Sequence, residues 1–413
     1  MFCGGQGVYL YYLSRELLRL GHEVHVFVGP PYAETVPGVV VHHIDSLNLY
    51  DRKDGFLPAD APLRILEPLN LYEFAATRIG MFPEMLTFSL RAFAAIRRLS
   101  MQRRFDIIHD NQCLGYGLLL MKTLGIPVIA TIHHPLGIDR RADLLQARSI
   151  RERMERIIHY PIIMQQIVTR YLDRVITVSQ SAAEQIRGHF PIPDGKMEIV
   201  YNGVDTEMFR PREGIAKEPN SLIVVGNTED RKKGILYLLR AMRLLRDEMD
   251  VRLTIVDAGL PKSKFAARLI HEYGLQDRVR FTGRISTEDL ALRYAASEVA
   301  VTPSLYEGFG FPAVEAMACG VPVITTSGGA LPEVVDDGKT GLMVPPGNPE
   351  ELARAIKVLL DDAGLRRRLG ANGRDTVQRR FTWIEATKQI VEIYEEVIDR
   401  KSCRNRSMGR WPM

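Results

Sequence analysis

Short apolar runs alternate with amphipathic stretches along almost the whole chain, the rhythm of βαβ units that build a parallel sheet. Val8–Leu20 carries apolar residues at helical spacing and runs into Gly21, a residue suited to ending a helix. Strands are expected at Glu23–Val28, Val39–Ile44, Asp106–His109, Pro127–Ile132 and Arg174–Val178. Helices are expected at Glu84–Leu99, Leu114–Leu124 and Pro161–Leu172. Ser181-x-x-Glu184 has the form of a capping box for a helix that ends near His189.

The rhythm restarts after Phe190. Leu222–Val225, Arg252–Val256, Val279–Phe281, Val299–Thr302 and Val321–Thr325 read as strands, and Ile235–Arg246, Lys264–Tyr273 and Asp289–Ala296 as helices between them. Asn348-Pro349-Glu350-Glu351 is a helix start: a capping Asn, Pro at the first helical position, then acids at the positive helix end. Tyr201–Gly214 concentrates turn and breaker residues between the two blocks. The expected fold class is therefore α/β, with two doubly wound parallel-sheet domains: residues 1–200 and residues 201–383. A C-terminal helix, 384–402, is expected to pack back toward the first domain, followed by a polar, disordered tail, 403–413. Ligands of such sheets bind beyond the carboxyl ends of the strands, so a cleft between the domains is the expected site.

Composition narrows the function classes. The 413 residues are 46% hydrophobic and 25% charged, ordinary for a soluble globular chain. Lys and Arg number 54 against 50 Asp and Glu, a net charge of +4, too small for the basic footprint of a nucleic-acid-binding domain. Cys3, Cys113, Cys319 and Cys403 are scattered, without zinc spacing or a disulfide framework. No apolar run spans a membrane, since Lys122 interrupts the best candidate, Leu114–Ile132. With no secretory pattern at the start, the chain reads as cytoplasmic. Asp139–Ile158 mixes six Arg with acids and apolar residues. An ordinary solvated helix is the plainer reading, and peripheral contact with an anionic membrane at its inner face is the sharper one. Leu69–Phe88, rich in aromatic residues and Met, suits an acceptor groove or plain core.

Candidate chemistry concentrates in Pro303–Gly320. A strand feeds the Gly-rich loop Glu307-Gly308-Phe309-Gly310-Phe311, and Pro312 opens a helix. Unpaired N–H groups and the helix dipole at such a turn suit phosphate. Glu307 and Glu315 flank it. A carboxylate near a helix N-terminus stays ionised and accepts from two adjacent sugar hydroxyls, whereas the bland reading is a charged helix cap. Thr131-Ile132-His133-His134-Pro135 ends a strand in the first domain. No carboxylate stands at metal-ligand spacing, so a metal site is not expected. Gly4-Gly5-Gln6-Gly7 departs from the G-x-G-x-x-G of a dinucleotide site.

Taken in order, these segments resemble the retaining glycosyltransferases of family 4, which have the GT-B fold. Glu307 to Glu315 resembles their E-x7-E motif, Gly4–Gly7 their first glycine turn, and Tyr201–Asp205 with Phe209 and Pro211 their linker. Lys233-Gly234 and Ser327–Glu333 match two further loops. The resemblance implies a metal-independent transfer of sugar from a nucleotide-sugar substrate to a hydroxyl acceptor, with no cofactor. It implies catalytic roles for His133, Lys233 and Glu307. It implies donor contacts from Gly5, Gly7, Lys232, Arg284, Gly308, Phe309, Gly310, Phe311 and Glu315. Asn227 stands where the family carries an Arg, and Val256–Gly259 replaces a G-x-G. Alternatives left open are a GT-B sugar-nucleotide epimerase and a nucleotide-sugar-binding protein with little activity. The glycine turn is expected to follow a strand, and only three residues precede Gly4, so the first domain is expected to lack its first strand.

Overall fold

A computed structural model describes residues 4–30, 32, 36–49, 62–146, 149–257 and 264–408. The chain divides into two units: Met1–Val178 with Ala182–Val200 and Thr387–Met413, and Tyr201–Ala386 with Ser179–Ser181.

The first unit holds two parallel sheets. β1 (His25–Val28) pairs with β2 (Val40–His43). The four-stranded sheet has the order β3 (Ile108–Asn111), β4 (Val128–Ile132), β5 (Arg174–Thr177), β6 (Met197–Ile199). Its central strands β4 and β5 are buried at every residue, as parallel strands covered by helices on both faces must be. Helices α1 (Gly4–Arg19), α2 (Pro68–Arg78), α3 (Glu84–Ser100), α4 (Gly117–Met121), α5 (Leu136–Gln146), α6 (Ile150–His159), α7 (Ile162–Tyr171) and α8 (Gln180–His189) connect the strands.

Among the described residues β1 pairs only with β2 and β3 only with β4. A cavity of about 830 Å3 is lined by both, together with α1, α3 and Tyr394. Its polar wall is a hydrogen-bonded chain. Tyr9 Oη lies 2.8 Å from Thr131 Oγ1, which lies 2.7 Å from His109 Nε2, and His109 Nδ1 lies 2.6 Å from Tyr394 Oη. The residues ahead of Gly4, where a first strand would be sought, lie outside the described residues.

The second unit is one six-stranded parallel sheet. β7 (Ser221–Val225), β8 (Arg252–Val256), β9 (Val279–Phe281), β10 (Val299–Thr302), β11 (Val323–Thr326) and β12 (Gly341–Val344) lie in the order β12-β11-β10-β7-β8-β9. Helices α9 (Ile235–Leu245), α10 (Lys264–Glu272), α11 (Thr287–Ala296), α12 (Phe311–Ala318), α13 (Leu331–Val334), α14 (Pro349–Asp361) and α15 (Ala363–Arg380) complete it. Leu238 and Met242 of α9 and Ile356 of α14 pack on Leu222, Val301 and Ile324 in a continuous core. Full burial of a side chain such as Leu238 contributes about 1.5–3 kcal/mol. Because β7 neighbours both β8 and β10, the strand order reverses there, and the crevice beyond the carboxyl ends of β7 and β10 is the place where a doubly wound sheet binds its ligand.

Several elements differ from the sequence reading. α1 already begins at Gly4, so Gly5 and Gly7 sit in helix rather than in an open turn. α8 opens at Gln180, one residue ahead of the Ser181 capping box. The carboxylate of Glu333, in the same unit as Ser179–Ser181, accepts from the Gln180 and Ser181 N–H groups at 2.7 and 2.8 Å. α16 (Trp383–Met408) runs well past Arg400, so the tail is helical to Met408.

Candidate functional site

The chain leaves β7 through Gly226 and turns on Asn227, whose Oδ1 accepts from the Glu229 N–H at 2.9 Å. The Asp257 carboxylate pins the next residue, accepting from Thr228 N at 2.9 Å and from its hydroxyl at 2.6 Å. A single helical turn, Arg231–Lys233, follows, capped by the Asp230 carboxylate on Lys232 N. Gly234 then adopts φ 65°, and a Cβ there would stand 1.9 Å from Pro303 O. Only glycine meets both conditions. The close approach brings the turn after β7 against the loop after β10, and Leu305 N donates to Lys232 O at 2.7 Å.

This approach sets Lys233 Nζ 2.8 Å from Glu307 Oε1. The same oxygen accepts from Ser304 Oγ at 2.7 Å. Ser304 is fully buried and Glu307 nearly so, while Lys233 keeps 28% of its side-chain surface. Beyond Glu307, Gly310 at φ 100° is the N-cap of α12. Among the described residues the N–H groups of Gly308, Phe309, Gly310 and Phe311 make no hydrogen bond within the protein. A primary amine, a carboxylate and a run of donors at a helix N-terminus thus share one crevice. Such an arrangement can stabilise an anionic leaving group and orient hydroxyls.

Glu315 lies one turn into α12. Surrounding protein pushes its carboxyl up to about 7, against the opposing hydrogen bond from Tyr294 Oη at 3.2 Å. Phe309 and Phe311 turn their rings into an aromatic cluster with Phe381 and Trp383, which leaves their main-chain amides as what they offer a ligand. Lys232 and Arg284 are exposed. Asn227 shapes the turn and supplies no cation, and exposed Arg231 stands four residues on. Ala258 and Gly259 lie outside the described residues.

In the first unit, His133 follows β4. Its N–H donates to Gln112 Oε1 at 2.6 Å, its Nε2 lies 2.8 Å from Asn111 Oδ1, and its ring stands edge-on to Tyr9 at 5.0 Å. Burial, with His134 and His109 adding smaller effects, lowers its pKa to about 3, so the ring is neutral at physiological pH. Gln112 also accepts from His134 N at 3.2 Å and donates to His134 O at 2.9 Å, while its own backbone holds φ 59°. Sequence reasoning passed over Gln112, Ser304 and Tyr294. A lone Gln, Ser or Tyr carries no spacing signal, and their roles arise from contacts between distant segments.

The family model described as Glycosyltransferase Family 4 matches residues 3–208, and that of Glycosyl transferases group 1 matches residues 205–376. An MMP alpha-(1->4)-mannosyltransferase of Mycolicibacterium hassiacum is 42% identical over 403 residues, covering 96% of each chain. The chain is a family 4 glycosyltransferase with the GT-B fold. As such it is a hexosyltransferase that moves sugar from a nucleotide-sugar donor, and the epimerase alternative falls away. A D-inositol 3-phosphate glycosyltransferase of Streptomyces bingchenggensis is 28% identical, over 96% of this chain and 85% of that protein. Among solved structures, sucrose-phosphate synthase from Thermosynechococcus elongatus aligns with a TM-score of 0.71 at 26% identity, over 96% of this glycosyltransferase and 94% of that chain. Anabaena Alr3699/HepE, in complex with UDP and glucose, aligns with a TM-score of 0.69 at 18% identity, over 95% and 96%, which bears on the fold alone.

Proposed function

We propose that this glycosyltransferase is a retaining α-mannosyltransferase whose acceptor is a sugar hydroxyl. The observation that carries the donor half of the reading is the Lys233–Glu307 pair beside the unbonded amides of residues 308–311, at the point where the strand order reverses. Mannose as the sugar rests on the 42% identical relative's name.

In this reading the nucleotide diphosphate lies against Lys233, with Lys232 and Arg284 at its margins. Glu315 accepts from the ribose diol, and Glu307 and the amides of Gly308 to Phe311 take the hydroxyls of the transferred sugar. Gly5, in the first turn of α1, offers its main-chain N–H to the donor, Gly7 lets the donor approach the helix where a side chain would intrude, and neutral His133 contacts the sugar. The bond between the anomeric carbon and the leaving phosphate oxygen breaks as the acceptor oxygen bonds to the same face. The acceptor proton passes to the departing phosphate. Lys233 stabilises the charge that grows there, work that fixed side-chain charge does without a metal. Incubation with UDP-, GDP- and ADP-linked mannose and glucose, followed by NMR of the product anomer, tests this. An α-mannoside is the expected product. A β-linked product overturns retention, and absence of transfer from every mannosyl donor overturns the reading.

None of the described helices is long and apolar enough to cross a membrane. We infer a peripheral contact through α6, which exposes Ile150 at 83%, Met154 and Ile157 on successive turns beside Arg153 and Arg156. Sedimentation with phosphatidylglycerol vesicles tests it. Binding lost in Ile150→Asp with Met154→Asp is the expected result, and equal recovery with neutral vesicles overturns it.

A further inference from the structure

The first unit contains a second, smaller cavity, of about 290 Å3. Gly29 and Pro30 after β1, Ile44 after β2 and Asn111 and Gln112 at the end of β3 all line it, so it lies beyond the carboxyl ends of the strands. Its other wall comes from α2 and α3, within the aromatic and Met-rich stretch 69–88, and carries two carboxylates, Glu73 and Glu84.

Those carboxylates are unevenly satisfied. Glu73 is 3% exposed. Its Oε1 accepts from the Arg91 guanidinium and the Thr87 hydroxyl, yet its Oε2 is buried without a hydrogen-bond partner. Glu84 Oε2 is likewise buried and unpartnered. Burial raises the Glu84 carboxyl above its ordinary range, and Glu73 adds to the effect. Leaving such an oxygen unbonded costs about 1–3 kcal/mol. Arg91, the one cation among the described lining residues, is already committed: NH1 to Glu73 and NH2 to Asn70 Oδ1 at 2.7 Å.

The geometry points to a subsite for one neutral, hydroxyl-rich acceptor ring, whose hydroxyls donate to Glu73 Oε2 and Glu84 Oε2. The volume stands near the lower bound of small-molecule pockets, about 300 Å3, the scale of a single ring. Two carboxylate oxygens with no uncommitted cation beside them among the described residues repel a phosphate, so a phosphorylated polyol is the wrong acceptor for this chain. That separates it from relatives named for inositol 3-phosphate. The inference rests on the glycosyl-transfer reading for its purpose but not for its test.

Ligand-observed NMR on the full chain, without donor, measures binding of methyl α-mannoside and of inositol 3-phosphate. Methyl α-mannoside is expected to bind and inositol 3-phosphate not. Glu84→Gln is expected to weaken the mannoside about tenfold, the worth of one hydrogen bond to a charged group. Glu73→Gln is expected to do the same if its melting temperature shows that the Arg91 contact survives. In turnover assays the same variants raise the acceptor KM and leave the donor KM unmoved. Equal mannoside affinity in wild type and Glu84→Gln, or preferred binding of the phosphate ester, overturns the subsite. Failure of every mannosyl donor to react, with mannoside binding intact, overturns only the donor reading.

Discussion

Lys233 Nζ and Glu307 Oε1 stand 2.8 Å apart although 74 residues separate them, because β7 and β10 are neighbours at the reversal of the strand order. Glu307 is held from behind by Ser304, so Lys233 is the partner free to move onto an arriving phosphate. Lys233→Ala is expected to lower single-turnover transfer about 10²–10³-fold, the cost of removing one preorganised electrostatic donor. The melting temperature should barely change, since the Lys233 side chain keeps 28% of its surface and a part-exposed ion pair contributes little to stability. Unchanged single-turnover rates would remove Lys233 from the chemistry.

Much of this site was legible because its signals are local. The Gly-Phe-Gly loop between two carboxylates, the Pro that opens α12 and the Lys-Gly before α9 each announce a backbone geometry that few sequences share. The illegible parts depend on distant contacts. α15 has only a sparse apolar stripe, Leu365, Leu369 and Val377, and carries Gly370 and Gly373, which argue against a helix. Those glycines lie against Gly320 and Met317, where a Cβ on Gly370 would stand 2.2 Å from Gly320 O. Likewise β6, three half-buried residues, becomes a strand only through pairing with β5. Glu333, quoted in the sequence as part of a loop, serves as the acceptor for the first N–H groups of α8.

If Glu315 is the proposed ribose contact, it couples donor binding to pH. Its carboxyl sits near 7 in the fold and near 4.5 when unfolded, so between those values the folded state binds more protons. Its burial therefore opposes folding increasingly as pH rises through that window, and fully above 7. Glu315→Gln is expected to raise the melting temperature at pH 8 and leave it unchanged at pH 4. The ionised form is the better acceptor for a ribose diol, so the wild-type donor KM should fall from pH 6 to pH 8 while the variant's stays flat. A parallel KM profile in both proteins would exclude Glu315 from the donor contact.

Two half-buried histidines of the first unit, His109 and His133, act in the opposite sense. His109 and His133 are lowered to about 3 by burial, against 6.5 when unfolded, so the unfolded chain binds more protons between those values. Stability is therefore lost as pH falls below about 6.5. Asp110, raised to about 6 by burial, partly offsets this between pH 4 and 6. Glu315, raised to about 7, offsets it further over the same range, so the test is the difference between two proteins. Calorimetry from pH 7 down to pH 4 should show wild type losing stability relative to His109→Gln as pH falls. Parallel profiles in the two proteins would mean that the His109 ring is not held neutral.

Gly234 is predicted to be intolerant of any side chain. Its φ of 65° strains an L-residue, and Cβ would collide with Pro303 O at 1.9 Å. Gly234→Ala is expected to cost about 2–4 kcal/mol in urea unfolding, combining left-handed strain with displacement of backbone. It should also lower transfer, since separating the two loops moves Lys233 from Glu307. Wild-type stability and rate together in this variant would show that the close approach is dispensable.

Gln112 is expected to matter more than its bland sequence context suggests. Its side chain makes three hydrogen bonds to the main chain of His133 and His134, at 2.6, 3.2 and 2.9 Å, from a residue at φ 59°. Gln112→Ala removes three hydrogen bonds from a half-buried turn, for a loss of about 2–4 kcal/mol. Gln112→Glu keeps the two acceptor contacts and loses the donation to His134 O, so it should restore part of the stability. If positioning His133 is the purpose of the turn, Gln112→Ala should lower kcat more than it raises the donor KM, and Gln112→Glu should recover kcat in proportion to stability. Loss of stability with full kcat in the folded fraction would make Gln112 a purely structural residue and detach His133 from the transferred sugar.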